Sequence, residues 1–368
     1  MKILRTSFRI LVGLIFVFSG FVKGIDPLGT VFRMNDYFIA FGAPWAAPTS
    51  IYLSILLCVA EFITGISLLF NLWIRNTAWI LLPLMTFFTI LTFFDAAFNL
   101  VPDCGCFGDA IKLSNTATFI KNLILMGFVV PIFLWRNKFK SALPIRSDLV
   151  ILLTTTVAFV WLSIWCYRHL PLIDFMDWKV GNKVSEVKVA PVKFYVTYKN
   201  KVTGEIKEYL APDYPWNDST WLAEWEFVDQ RVEDVNVTGG SMLKAEDLSG
   251  NDMTSRILHY PKPQFLLVSW DLEKANINAF RRVLPLYKKA TADEIPFICL
   301  TSALPEEIRQ FRIKHVLPFE FLNADDVVLK TMVRSNPGLI LLNKGKVVAK
   351  WSFRDFPTYE QVKKDILR

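Results

Sequence analysis

The chain has 368 residues, a formal net charge of +7, 53% hydrophobic residues and five cysteines. The length allows two or three domains, and the low cysteine content excludes a disulfide-dense secreted scaffold. Much of the basic excess flanks apolar segments, which indicates membrane topology and argues against nucleic acid as a partner. Long apolar runs are confined to residues 1–168, whereas residues 177–368 have an ordinary globular composition.

Five apolar segments are each long enough to cross a bilayer, which takes about 20 helical residues. They cover residues 6–24, 50–70, 77–98, 116–135 and 149–167. Basic residues precede the first segment, as in a signal peptide, but no small-residue cleavage site follows, and we interpret it as a retained helix. The sequence therefore predicts an α-helical membrane bundle of four helices at residues 1–140, with a fifth spanning helix at residues 141–168.

The basic loops set the expected orientation. The amino terminus, the loop with Arg75 and the basic stretch from Arg136 to Arg146 share one side of the membrane. By the positive-inside rule this side faces the cytoplasm. We expect a multi-pass protein of the cytoplasmic (inner) membrane, with residues 168–368 outside, in the periplasm.

Three polar residues fall in or near the spanning segments. Glu61 lies near the middle of the second segment, where a charge costs about 2.5–3.5 kcal/mol on insertion scales. At 1.5 Å per residue, Glu61 lies about 16 Å from the outer end of its helix, whereas Lys23 and Asp95 lie close to the outer ends of theirs. The Lys23 side chain is not expected to reach Glu61 at that depth, so Asp95 is the expected partner of Lys23. Two interpretations of Glu61 stay open: a proton or ligand site, and a protonated carboxyl group that is hydrogen-bonded inside the bundle.

Two cysteines lie one residue apart in the stretch Pro102-Asp103-Cys104-Gly105-Cys106-Phe107-Gly108-Asp109, between the third and fourth segments. At this spacing the Cα atoms lie near the upper limit for a disulfide, roughly 5–7 Å. Structural zinc takes about four ligands, so we expect no metal site here. Cys104 and Cys106 are interpreted either as a catalytic redox pair or as a structural turn with unreactive thiols. Cys166, at the outer end of the fifth segment, is a candidate redox relay or a helix-packing residue.

Three motifs of the bundle resemble those of the DoxX/MauE family of four-helix membrane proteins, over roughly residues 1–135. They are Phe18-Ser19-Gly20-Phe21-Val22-Lys23, Glu61-Phe62-x-x-Gly65 and Cys104-Gly105-Cys106-Phe107-Gly108-Asp109. The resemblance implies a bundle related in shape to vitamin K epoxide reductase. It also implies a role in maturing a disulfide-rich periplasmic enzyme subunit beside a thioredoxin-like partner. No cofactor motif is evident in the sequence, and a quinone acceptor follows by analogy alone.

Residues 169–261 are interpreted as an extracytoplasmic linker, in which residues 192–210 predict a β-hairpin. From residue 262 onward, strands alternate with helices and end in a hairpin and a closing helix. This order is typical of an α/β thioredoxin-like domain, which residues 262–368 resemble.

A thioredoxin carries its Cys-x-x-Cys motif between the first of these strands and the following helix. In this chain that segment is Trp270-Asp271-Leu272-Glu273-Lys274, which contains no cysteine. Cys299 lies in an apolar strand and is expected to be an inert core residue. The domain is therefore not expected to exchange dithiols. The thioredoxin resemblance places a cis-proline at Pro337, so Asn336 and Pro337 are candidate peptide-binding residues.

Two functions are consistent with these patterns. In the first, Cys104 and Cys106 carry out thiol–disulfide exchange with an extracytoplasmic client protein. In the second, the chain is a non-enzymatic scaffold or assembly factor that holds partner proteins. The redox state of the thiols in intact cells distinguishes the two, because a catalyst turns over and a scaffold does not.

Overall fold

The computed structural model describes residues 1–141, 143–184, 193–233 and 243–367. Its amino-terminal part contains the α-helices α1 (Lys2–Ile25), α2 (Pro27–Ala40), α3 (Ser50–Phe70), α4 (Ile74–Phe98), α5 (Asn115–Leu134) and α6 (Ile145–Arg168). Five helices of this described part, all but α2, are long and apolar enough to cross a membrane, which confirms the predicted number and positions. The chain is therefore a multi-pass membrane protein whose exposed apolar side chains contact lipid.

Helix α2 occupies the segment between the first two spanning helices, to which the hydropathy pattern assigned no element. The Asp26 side chain accepts a hydrogen bond from the Gly29 amide at 3.1 Å, and Pro27 occupies the first helical turn. An acidic cap followed by proline is a helix-start signal, since proline needs no amide partner at that position. A short 3₁₀ helix at Pro44–Thr49 then leads into α3.

Helices α1 and α3 pack backbone to backbone. A Cβ atom on Gly20 would lie 2.5 Å from the Phe62 backbone nitrogen, and one on Gly65 would lie 2.5 Å from that of Val17. Small residues permit this close approach between membrane helices. The contact fixes the axial offset of the antiparallel pair and brings Glu61 level with the last turns of α1.

The linker region forms a three-stranded sheet with the order β2-β1-β3. Its elements are β1 (Lys193–Asn200), β2 (Ile206–Leu210), α7 (Ser219–Glu224) and β3 (Trp225–Glu233). Strands β1 and β2 form a hairpin; residue 192, where the hairpin was predicted to begin, lies outside the described residues. Trp221 stacks on Trp225 in a small aromatic cluster, whereas Trp216 is exposed.

The carboxy-terminal domain is a mixed six-stranded sheet with the order β4-β7-β6-β5-β8-β9. Its strands are β4 (Ala245–Glu246), β5 (Pro263–Ser269), β6 (Phe297–Thr301), β7 (Glu320–Ala324), β8 (Gly338–Asn343) and β9 (Lys346–Ser352). Its helices are α8 (Thr254–Leu258), α9 (Ile277–Ala292), α10 (Pro305–His315), α11 (Asp326–Met332) and α12 (Tyr359–Asp365). Strands β5, β6 and β7 are parallel, and β8 and β9 run antiparallel to their neighbours.

Apolar side chains cover both faces of this sheet. Cys299 is fully buried in β6, and burial raises the pKa of its thiol well above the ordinary value, as expected of an inert core cysteine. The Asn336–Pro337 peptide bond, which precedes β8, is cis.

Candidate functional site

The cysteine loop, residues 99–114, connects α4 and α5 and brings two thiols together. Each of the five cysteines, all within the described residues, is a free thiol. The Cys104 thiol donates to the Cys106 sulfur at 3.7 Å. A disulfide needs about 2.05 Å between sulfurs, so a small movement would join the two. Asp103 Oδ1 accepts from the Gly105 amide at 2.9 Å and stabilises the turn.

Arg33 of α2 forms ion pairs with two aspartates of this loop. Its Nη2 atom lies 2.9 Å from Asp103 Oδ2 and 2.7 Å from Asp109 Oδ1. Gly105 has a φ of +62°, and a Cβ atom there would lie 2.1 Å from the Arg33 Cδ atom. Glycine is therefore required at this position by both backbone conformation and space.

A second arginine joins the carboxy-terminal domain to the same loop. Arg334 Nη2 lies 2.9 Å from Asp109 Oδ2, and Arg334 Nε lies 2.9 Å from Asp26 Oδ2. Burial alone would raise the pKa of Asp109, but the charges of Arg33 and Arg334 outweigh this effect and lower it. We call Asp26, Arg33, Asp103, Asp109 and Arg334 the arginine–aspartate cluster.

The two thiols have different electrostatic environments. The hydrogen bond from Cys104 lowers the pKa of Cys106 to about 6; burial opposes this effect, and the charges of Lys121 and Lys23 support it. The same hydrogen bond, together with burial, raises the pKa of Cys104. Since the thiolate is the nucleophile in thiol exchange, this environment favours Cys106 over Cys104 as the more nucleophilic sulfur. The sequence left this choice open.

Lys23 forms a buried ion pair with Glu61, so the predicted pairing of Lys23 with Asp95 is wrong. The reason is the offset of α1 against α3. The Ser54 hydroxyl of α3 donates to the carbonyl oxygen of Pro27, just beyond the end of α1, so Glu61 lies level with Lys23. The Ser19 hydroxyl lies 2.7 Å from Glu61 Oε2 and 2.7 Å from the Cys106 carbonyl oxygen, and connects the ion pair to the cysteine loop.

Asp95 instead accepts a hydrogen bond from the Tyr37 hydroxyl of α2 at 2.5 Å. Its second oxygen, Oδ1, is buried and has no hydrogen-bond partner among the described residues.

The expected helix packing of Cys166 agrees with its burial in α6, where its thiol is hydrogen-bonded by the Leu172 backbone. A relay from Cys166 to the cysteine pair stays a prediction.

The Asn336 side chain is used inside the carboxy-terminal domain. Its amide donates to the Asp271 carbonyl oxygen at 2.7 Å, and its oxygen accepts from the Ser269 hydroxyl at 2.8 Å. Pro337 is buried. The Trp270 ring nearby packs edge-on against Phe32 of α2, with ring centroids 5.6 Å apart. Peptide binding at Asn336 and Pro337 stays a prediction.

A cavity of about 740 Å³ adjoins the cysteine pair. Both cysteines line it together with side chains of α1 to α5, most of them apolar. The sequence-predicted residues Lys23 and Glu61 also line this cavity, whereas the described part of the chain contains no cluster of three metal-ligating side chains. Arg33, Tyr37 and Lys121 could not be predicted as site residues, because the hydropathy pattern does not reveal α2 and a single lysine in α5 gives no signal.

Comparison with known proteins supports the membrane part alone. Residues 1–135 match the family model described as methylamine utilisation protein MauE, and this range covers α1 to α5 and the cysteine loop. Nothing among the curated proteins matches the chain, and neither does any solved structure.

Removing the Glu61 charge tests the buried ion pair. In Glu61→Gln the Lys23 ammonium stays buried without its counter-charge, so the free energy of unfolding in detergent should fall by about 3–5 kcal/mol. Lys23→Met/Glu61→Gln should recover most of this loss. Glu320→Gln, which breaks an exposed pair with Arg256, is the control and should change stability by less than about 1 kcal/mol. Wild-type stability in Glu61→Gln would contradict the pairing.

The pH dependence of alkylation tests the assignment of Cys106. Its reaction with iodoacetamide, followed by peptide mass analysis, should increase as the pH rises through about 6, because the thiolate fraction grows above the pKa. Cys104→Ala and Lys121→Met should both move this midpoint upward. Lys112→Met in the same loop should leave it unchanged. A wild-type midpoint near the ordinary thiol value of about 8.5 would refute the assignment.

Proposed function

We propose that this multi-pass membrane protein carries out thiol–disulfide exchange with an extracytoplasmic client protein through Cys104 and Cys106. The observation that carries the proposal is the pair itself: two free thiols 3.7 Å apart, one of them positioned to be a thiolate. The match of residues 1–135 to the MauE family model supports a membrane role.

The chemistry requires two exchange steps. The Cys106 thiolate attacks a client disulfide, forms a mixed disulfide and releases one client sulfur as thiolate. Cys104 then transfers its proton to that thiolate and attacks Cys106, so the second client sulfur leaves. The client becomes a dithiol and the pair becomes a disulfide; the reverse sequence oxidises the client.

We further propose that the cysteine loop and residues 169–368 lie outside the cytoplasm. Support comes from the basic loops on the opposite side of the bundle and from Arg334, which binds Asp26 and Asp109 in two loops of the same side. Disulfides persist in that compartment.

The carboxy-terminal domain is proposed to be thioredoxin-like, supported by the strand order of its mixed sheet and by the cis-proline before β8. Its one cysteine, Cys299, is buried, so its role in exchange is to hold the cysteine loop and position the client. A scaffold without redox activity is the second candidate, favoured by the absence of a dithiol in this domain.

Trapping tests the exchange function. In Cys104→Ala the resolving thiol is missing, so a mixed disulfide between Cys106 and the client should accumulate and be seen after non-reducing electrophoresis and mass analysis. Cys106→Ala should give far less adduct, because burial still raises the pKa of Cys104 after its hydrogen bond with Cys106 is lost. Cys299→Ala should behave like the wild type. Absence of any adduct, together with full cellular function of Cys104→Ala/Cys106→Ala, would leave the scaffold interpretation.

The orientation has its own test. A reporter that is active only outside the cytoplasm should be active when fused after Leu367 and inactive when fused after Lys140, in the loop between α5 and α6. The inverse pattern would place the cysteine loop in the cytoplasm, where thiols are kept reduced, and would count against the proposed client.

A further inference from the structure

The Ser19 hydroxyl group contacts two oxygen atoms, Glu61 Oε2 and the backbone carbonyl oxygen of Cys106, each at 2.7 Å. A hydroxyl group has one hydrogen atom, and an ionised carboxylate only accepts hydrogen bonds. Both contacts are therefore hydrogen bonds only when Glu61 carries a proton on Oε2 and donates to Ser19, which in turn donates to Cys106. The geometry thus provides a position for a proton on Glu61, next to the cysteine loop.

The contact with Lys23 is compatible with this protonated form of Glu61. The Lys23 ammonium group binds the other carboxyl oxygen, Oε1. It forms an ion pair there with a carboxylate, and it donates equally well to the carbonyl oxygen of a protonated acid. Glu61 is 1% exposed, so the carboxyl group keeps these partners in both forms and is not solvated by bulk water.

Lys23 is shared by two acidic groups, because its charge acts on both Glu61 and Cys106. The hydrogen bond from Cys104 lowers the pKa of Cys106, whereas the charge of an ionised Glu61 acts against this effect. Such coupling is reciprocal, so a thiolate at Cys106 favours protonation of Glu61. A second negative charge so close to the buried carboxyl group is costly, and we expect one of the two groups to hold a proton.

We infer that Glu61 and Cys106 share one proton, which is bound to Glu61 while Cys106 is a thiolate and leaves Glu61 when Cys106 enters a disulfide. The inference rests on the proposed exchange function and adds a residue that acts on the sulfur through Lys23 and Ser19. The thiolate charge of the reduced pair is then replaced by the carboxylate charge of Glu61 in the oxidised state. The net charge of the site is therefore the same in both redox states, which avoids an uncompensated charge beside the apolar bundle.

The exchange reaction balances without a proton from the medium. The reduced site holds one proton on the Cys104 thiol and one on Glu61. The client disulfide bond breaks and takes two electrons from the cysteine pair; its first sulfur receives the proton of Cys104 and its second sulfur receives the proton of Glu61. The products are a client dithiol, the Cys104–Cys106 disulfide and a Glu61 carboxylate paired with Lys23. The reverse sequence oxidises the client and returns the proton to Glu61.

Other titratable groups face this site from the neighbouring elements. They are Arg33 and Tyr37 of α2, Cys58 of α3, Asp95 of α4 and Lys121 of α5. Arg33 is paired with two aspartates of the cysteine loop, Tyr37 donates to Asp95, and α6 packs here through the Phe159 ring. Asp95 is a second buried carboxyl group near the cysteine pair, so the experiment has to distinguish it from Glu61.

Proton release on oxidation is measured in the full-length protein in detergent, by electrochemical titration of the cysteine pair. Each proton lost with the electrons changes the oxidation equilibrium constant about tenfold per pH unit. At pH values above the Cys106 pKa of about 6, the wild type should lose two protons, from Cys104 and Glu61. Its constant should change about a hundredfold per pH unit, or about 59 mV. Glu61→Gln should change about tenfold, and Asp95→Asn, the matched control, should behave like the wild type.

Infrared difference spectra of reduced and diamide-oxidised protein identify the group that holds the proton. The reduced wild type should show the carbonyl band of a protonated carboxyl group, which shifts in D₂O and is absent after oxidation. Glu61→Gln should remove this band, and Asp95→Asn should keep it. Ser19→Ala should keep the band and shift its frequency, because Oε2 loses its hydrogen-bond partner. This variant retains the contact between Lys23 and Glu61, so the test does not depend on the stability of Glu61→Gln.

Three results would overturn the inference: a wild-type change of about tenfold per pH unit, a band that Asp95→Asn removes, and a band that Ser19→Ala leaves unshifted. If the cysteine pair exchanges reversibly with a model dithiol but shows no protonated carboxyl group, the inference fails and the proposed function stands. If no reversible disulfide forms between Cys104 and Cys106, the proposed function fails and the inference fails with it.

Discussion

The carboxylate of Asp109 is the point at which the two halves of the protein meet. It is shared by Arg33 from the membrane bundle and Arg334 from the carboxy-terminal domain, at 2.7 Å and 2.9 Å. A buried carboxylate of this kind is stable because both oxygens are used by charged donors. Removing either arginine would leave aspartate charge in this cluster uncompensated. The positions of the cysteine loop, α2 and the carboxy-terminal domain therefore depend on one another.

The same arrangement explains how a thiolate can be held at the edge of an apolar bundle. Asp103 precedes the two cysteines and Asp109 follows them closely in sequence, and their charges would disfavour a negative sulfur. Their charges are instead compensated by the arginines, so the hydrogen bond from Cys104 and the charges of Lys121 and Lys23 together lower the pKa of Cys106. The electrostatic character of the loop thus depends on residues that the loop does not contain.

The carboxy-terminal domain meets the membrane bundle through residues near its cis-proline. Its sheet has a complete core on both faces, and Trp270 and Asp271 follow strand β5 beside the cis-proline that precedes β8. Trp270 packs against Phe32 of α2, and Arg334 precedes the cis-proline by three residues. This edge of the domain therefore contacts the membrane bundle, and the two neighbouring thiols lie in a loop of the bundle.

Local patterns in the sequence determined the five spanning helices, the position of the cysteine loop between two of them and the order of strands and helices after Pro263. Hydropathy and residue periodicity act over 5 to 25 neighbouring residues, so they can be read without a structure. The tertiary structure alone decided the partner of Glu61, the different environments of the two thiols and the arginine–aspartate cluster. The offset of α1 against α3 comes from backbone contacts at Gly20 and Gly65, and Arg334 meets Asp26 across 308 positions of sequence. Such contacts depend on how whole elements are placed against one another, which no short stretch of sequence encodes.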